Sequence, residues 1–168
     1  MSLDALGWNS FFEEAFQQLG DHAGEKTPAR IISAYKNQYK IMGDTFESLA
    51  EVSGKFMYTA TLASDFPVVG DWVVAYGTRE KGNAIIHTIL PRRSIISRKA
   101  PGMGAGEQII AANVDICFIV TTFDRDFNER RIERYLTFVY ESGVQPVIII
   151  NKADICENIT PFIDKLTD

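Results

Sequence analysis

Cysteine is almost missing from this 168-residue sequence: Cys117 sits in an apolar run and Cys156 just after a polar loop. Two thiols so placed exclude a disulfide framework and show no metal-ligand spacing, so both are expected to be structural and no metal site is expected. Histidine is as scarce, and neither His22 nor His87 has a catalytic partner in the pattern around it. No apolar stretch approaches the roughly 20 residues that span a bilayer, so no membrane partner is expected. The opening Met1-Ser2-Leu3-Asp4 lacks a basic region leading into an apolar core. That excludes a secretory signal and makes the cytoplasm the expected location. What remains is a globular composition, 46% hydrophobic and 23% charged, long enough for one ordinary domain or two small ones.

A net charge of −5 would by itself argue against nucleic acid, but the charge is unevenly placed. Residues 1–27 carry −4, residues 28–99 carry +4 and residues 100–168 carry −5. A basic middle between acidic ends suits a module that faces nucleic acid.

Along the chain, Phe12, Phe16 and Leu19 fall at helical spacing. Ser10 followed by Glu13 reads as a capping box and Gly20 as the stop. A polar linker then leads to Pro28, closing a segment of residues 1–27. From 28 to 99 the period changes to short β-prone runs: 29–35, 39–42, 46–56, 72–76, 84–90 and 94–97. In the third run Phe46, Ala50, Val52, Gly54 and Phe56 share one face while Glu47, Glu51 and Lys55 face the other, the period of a half-buried strand. About five strands in roughly 70 residues are too few for a two-sheet sandwich, and closure removes exposed edges. An oligonucleotide-binding-type β-barrel (OB-fold) is expected in preference to an SH3-like one.

The Gly-rich stretch 100–106 reads as a flexible joint. Beyond it, in 107–168, Val114–Val120 is an almost unbroken apolar run, as a strand covered on both faces would be. Ile132, Tyr135, Leu136, Val139 and Tyr140 mark a helix over 127–142, with Asp126 and Glu129 at its start and Gly143 at its end. Val147-Ile148-Ile149-Ile150 is a second strand, and a further helix is expected from about Ile159. Strand, helix, strand in this length is a right-handed parallel unit. Two strands and so little helix would leave apolar surface open, which gives residues 107–168 the character of a partial α/β domain.

Directly after the second strand stand Asn151, Lys152, Ala153 and Asp154. Ligands of open α/β sheets bind outside the carboxyl ends of strands. A carboxylate only accepts hydrogen bonds, and guanine presents two adjacent donors, its ring N1–H and its exocyclic amine. Asp154 can accept both, whereas adenine would leave it unpaired. Asn151 can donate to the base N7 or tie loops together, and Lys152 can lay its stem over the base. The same residues also suit ordinary turn and cap chemistry.

No G-x-x-x-x-G-K-[ST] phosphate loop occurs, and no Asp-x-x-Gly lies within residues 107–168. Gly102, Gly104 and Gly106 do not substitute, because no Lys-Ser or Lys-Thr follows them. Phosphoryl transfer rests on those elements, so this stretch alone is expected to be inactive, with no catalytic residue of its own. In ordinary GTPases the phosphate loop comes first and the base-reading element late. Here the latter follows a single strand and helix, which suggests a circularly permuted P-loop-type GTPase domain.

At this point the sequence resembles the bacterial circularly permuted GTPases of small-ribosomal-subunit maturation. The matching stretches are Phe66-Pro67-Val68-Val69-Gly70-Asp71-Trp72-Val73, Ile89-Leu90-Pro91-Arg92-Arg93-Ser94, Glu107 to Asp115, Asn128 to Tyr135 and Asn151 to Asp154. The resemblance implies an OB-fold barrel touching ribosomal RNA and a GTPase domain using GTP with magnesium. It further implies a zinc region beyond this stretch, and the small subunit, its rRNA and GTP or GDP as partners. Within the family pattern, Asn151, Lys152 and Asp154 fall on the guanine-specificity motif.

Arg92, Arg93, Arg98 and Lys99 close the expected barrel and are candidates for phosphate contacts with RNA. Trp72, Tyr76, Phe56 and Tyr58 are candidates for base stacking, with Trp72 better suited to the core. The competing reading is an RNA-binding barrel whose α/β tail is a docking surface with no nucleotide role.

Overall fold

A computed structural model describes residues 2–20, 25–77, 82–99, 107–122, 127–155 and 160. The chain divides into two compact units, 1–113 and 114–168.

In the first unit, strands β1 (Thr27–Tyr35), β2 (Gln38–Met42), β3 (Glu47–Val52), β4 (Trp72–Tyr76) and β5 (Ala84–Ile89) close into a barrel in the order β1-β2-β3-β5-β4. β4 pairs antiparallel with β1, and β3 pairs parallel with β5, Ala50 opposite Ala84. This is the five-stranded OB-fold expected from strand count. Its interior is Ala29, Ile31, Tyr39, Ile41, Ala50, Val73, Ala75, Ala84 and Ile86, all buried. Large residues alternate with alanines, the pattern that fits side chains into the interior of so small a barrel. Fully burying each Ile or Val stabilises by about 1.5–3 kcal/mol.

β4 is buried on both faces because helix α1 (Ser10–Gln18) covers its outside. Phe12, Trp72, Val74 and Leu90 form that second core, with Leu6, Trp8, Phe16 and Leu19 around it. The Trp8 and Trp72 rings meet edge to face at 4.7 Å. The cap of α1 differs from the sequence reading by one residue. Asn9, not Ser10, accepts the Phe11 N–H at 3.0 Å. Glu13 instead accepts the Trp8 indole N–H at 3.0 Å.

The expected strand 46–56 also ends early. Ser53 caps a short helix, α2 (Gly54–Thr59), its hydroxyl accepting the Phe56 N–H. The alternation therefore holds only through Val52, and Gly54 and Phe56 belong to the helix.

The barrel proper ends at Ile89. β6 (Ile95–Lys99), expected within it, instead pairs antiparallel with β7 (Glu107–Ala112) as a separate two-stranded sheet. The Gly-rich stretch 100–106 lies outside the described residues, but the strands flanking it pair with each other. Residues 107–112 therefore group with the first unit, not with the α/β part to which they were assigned from sequence. Gly70 makes the attachment possible: its φ is +91°, and a Cβ there would stand 2.0 Å from the Ala112 carbonyl oxygen. Only glycine permits that approach. Val69 bridges to Ala111, and the buried Asn113 side chain donates to the Gly70 carbonyl and accepts from the Arg93 N–H.

In the second unit, β8 (Ile116–Thr122) and β9 (Gln145–Asn151) pair in parallel, with helix α3 (Glu129–Glu141) between them in sequence. Asn128 caps α3 by accepting the Arg131 N–H, while Asp126 lies outside the described residues. Ile132 and Val139 are buried as the helical spacing requires. β8 is covered on one side only: Ile119 and Thr121 are buried, whereas Ile116, Phe118 and Val120 are 50%, 62% and 61% exposed. Among the described residues, the other face of β8 thus presents open apolar surface, as expected of a partial α/β unit. The helix expected from about Ile159 falls outside the described residues, apart from Thr160.

Candidate nucleotide site

The candidate tetrapeptide begins where β9 ends. Asn151 is the last residue of that strand, opposite Thr122 of β8, and Ala153–Ile155 make a single 3-10 turn. Asn151, Lys152, Ala153 and Asp154 are all exposed. The Asn151 side chain accepts the Lys152 N–H at 2.9 Å, holding the exit from the strand in a tight local turn. Lys152 adopts φ +56°, in the left-handed region. A lysine gains nothing from that conformation and pays of order 1 kcal/mol for it. The left-handed residue falls between the end of β9 and the 3-10 turn that carries Asp154. Sequence reasoning located these residues but not the backbone strain, which no pattern of residue types reveals.

The neighbouring strand contributes a second feature that sequence reasoning missed. The Thr121 hydroxyl is buried and has no hydrogen-bond partner among the described residues. It lies one residue short of the same carboxyl edge, paired with Ile150. Among the described residues no three His, Cys, Asp or Glu side chains gather as a metal site.

The four candidate RNA contacts separate on inspection. Arg92 is turned inward with its side chain 13% exposed, against a fully buried Asp71. Its Nε and Nη2 donate to the two Asp71 carboxylate oxygens, and Nη1 and Nη2 also reach the Ser64 and Phe66 carbonyls. Those donors are thus committed to the barrel, and a phosphate role for Arg92 is not compatible with them. No local sequence pattern reveals this pairing, because Asp71 and Arg92 stand 21 residues apart. Arg93 is exposed at the start of the hairpin, and Arg98 is exposed with its guanidinium near Gln108. Lys99 ends β6, its side chain outside the described residues. Of the aromatic candidates, Trp72 is core, Phe56 packs near Phe66, Tyr76 lies against His87, and Tyr58 is 89% exposed.

Comparison with known proteins matches residues 89–167 to the RsgA GTPase family. Curated relatives named small ribosomal subunit biogenesis GTPase RsgA include that of Syntrophotalea carbinolica, 39% identical over 93% of this chain and 44% of its own length. Another, from Methanosarcina acetivorans, is 40% identical over 96% of this chain and 42% of its own. The chain therefore spans less than half the length of the curated relatives it matches. Among solved structures, YjeQ from Thermotoga maritima superposes with a TM-score of 0.65 at 21% identity, covering 84% of this chain and 47% of that one. YloQ, described as a circularly permuted GTPase, gives 0.64, also at 21% identity, over 88% and 48%. These two likenesses show the fold alone: an OB-type barrel followed by part of an α/β domain.

Proposed function

We propose, for a chain that belongs to the RsgA GTPase family, that it forms the barrel and first part of the GTPase domain of a protein that binds the small ribosomal subunit. There the whole protein assists maturation of the subunit and hydrolyses GTP to GDP. The observation that carries this reading is the exposed Asn151-Lys152-Ala153-Asp154 turn at the carboxyl end of a parallel strand.

In that role Asp154 accepts hydrogen bonds from the N1–H and exocyclic amine of guanine. Lys152, held in its left-handed kink, lays its methylenes over the base plane. Asn151 fixes the turn through the Lys152 N–H and keeps its own amide group free of the strand ladder. Residues 107–168 supply neither a phosphate loop nor a magnesium-binding Asp-x-x-Gly. Magnesium, when bound with the nucleotide, would supply charge stabilisation at the phosphates. This chain supplies base recognition. A cytoplasmic setting follows from the substrate.

For the barrel, Arg93, Arg98 and Lys99 are the candidates for phosphate contacts with rRNA, and Tyr58 for stacking. A second reading, a barrel that binds RNA while the α/β tail serves only as a docking surface, is favoured by the open apolar side of β8. The two differ in nucleotide dependence. Sedimentation of the full-length protein with purified small subunits should give association with a non-hydrolysable GTP analogue and release with GDP. No association in either state would overturn the proposal.

A further inference from the structure

Asn113 ends the first unit, and it is held unlike an ordinary boundary residue. Boundaries between domains usually fall in exposed chain that makes few contacts. Asn113 is instead buried, with φ +54°, a left-handed conformation that asparagine tolerates better than most residues. Both of its backbone groups and both of its amide atoms are engaged. Its N–H donates to the Ser94 carbonyl at 2.9 Å. Its side chain bonds the Gly70 carbonyl and the Arg93 N–H, and its own carbonyl accepts from Arg30 Nη2 at 2.9 Å.

Arg30 carries that last bond to a third part of the fold. From β1 its guanidinium stands over the Trp72 ring, 5.8 Å from the centroid, and its Nη1 donates to the Leu6 carbonyl. Leu6 belongs to the N-terminal segment that packs on the outside of β4 through Trp8 and Phe12. The turn after Leu6 fits around the guanidinium: Gly7 adopts φ +90°, and a Cβ there would stand 2.9 Å from Nη1. A guanidinium is a planar, rigid fork of donors. Moving the acceptor on one prong therefore shifts the donor presented to the other.

We infer that Arg30 is a positioning residue, a latch by which the N-terminal segment fixes the point where the chain leaves the barrel. Binding that depends on the nucleotide state requires the α/β unit and the barrel to be energetically coupled. The covalent path between them runs through Asn113. With the latch closed that path is held, and a change of nucleotide alters the affinity of the barrel for its partner. With the latch open the path yields, and each unit keeps its own ligand while the coupling falls. That role rests on the small-subunit reading above and adds to it the element that links the two halves.

Hydrogen exchange of the full-length protein, read by mass spectrometry in the peptide spanning residues 110–114, tests the latch. Arg30→Met should raise exchange there and leave the β2 and β5 peptides unchanged. Gly7→Ala, which crowds Nη1 from the N-terminal side, should raise it as well, and should add nothing in the Arg30→Met background, because both act through one contact. Arg30→Lys keeps the charge without the fork and should give exchange close to that of Arg30→Met. Small-subunit affinity, measured with a non-hydrolysable GTP analogue and with GDP, supplies the functional arm. Arg30→Met should lower the ratio of the two affinities about fivefold or more, with the affinity for the nucleotide itself unchanged. Unaltered exchange at 110–114 in Arg30→Met would overturn the inference. So would full additivity of Gly7→Ala and Arg30→Met, or an unchanged affinity ratio. If the unsubstituted protein binds subunits equally in both nucleotide states, the small-subunit reading fails instead, and the exchange arm alone decides the latch.

Discussion

Arg92 and Asp71 form a two-pronged ion pair inside the barrel wall, Nε to Oδ1 and Nη2 to Oδ2, both at 2.8 Å. The second Asp71 oxygen also accepts the Val68 N–H at 2.8 Å, so one carboxylate ties the entry of β4 to the exit of β5. Arg92→Met leaves that buried carboxylate without its cation. The expected loss is about 3–5 kcal/mol of unfolding free energy, measured by urea denaturation. Arg92→Lys should recover little, since a single ammonium cannot reproduce the fork and the two carbonyl contacts.

Gly70 holds the hairpin against the barrel by letting two backbones touch. Gly70→Ala sets a methyl against the Ala112 carbonyl at a φ that L-residues avoid. The expected cost is about 1–3 kcal/mol or more, read from the same denaturation curves. A neutral result would mean that the 95–112 hairpin contributes nothing to the stability of the barrel.

Asp65 gives the fold an acid limb. Hydrogen bonds from the Leu62 and Thr61 backbone N–H groups hold its carboxyl below the usual carboxylate range. A carboxyl depressed in the folded state stabilises fully above its unfolded value, about 3.9, and loses that contribution as pH falls through the folded value. Asp65→Asn should therefore flatten the fall of the thermal midpoint below about pH 4. An acid limb as steep as that of the unsubstituted chain would place the titrating groups elsewhere.

The barrel was legible because its strands alternate and its turns are marked, and the parallel unit because Ile132 and Val139 keep helical spacing. The failures have local causes. Ser53 ends a strand through a hydroxyl cap that competes with continued alternation. A Gly-rich stretch between two β-prone runs fits a domain joint and a hairpin connection equally well, and only the pairing of Arg98 with Gln108 and its neighbours decides. Arg92 looked like a surface cation because its partner Asp71 is 21 residues away, a distance that no local pattern spans. At the candidate site the residue types were readable in full, while the left-handed Lys152 and the orphaned Thr121 hydroxyl emerge only from the backbone path.

Most direct of all is a competition titration of the full-length protein, in which bound fluorescent GDP is displaced by GTP, ATP or ITP, the last lacking the exocyclic amine. If the Asp154 carboxylate reads both donors of guanine, GTP displaces best, ITP is weaker, ATP barely competes, and Asp154→Ala removes the ranking. Equal displacement by all three nucleotides would contradict the account.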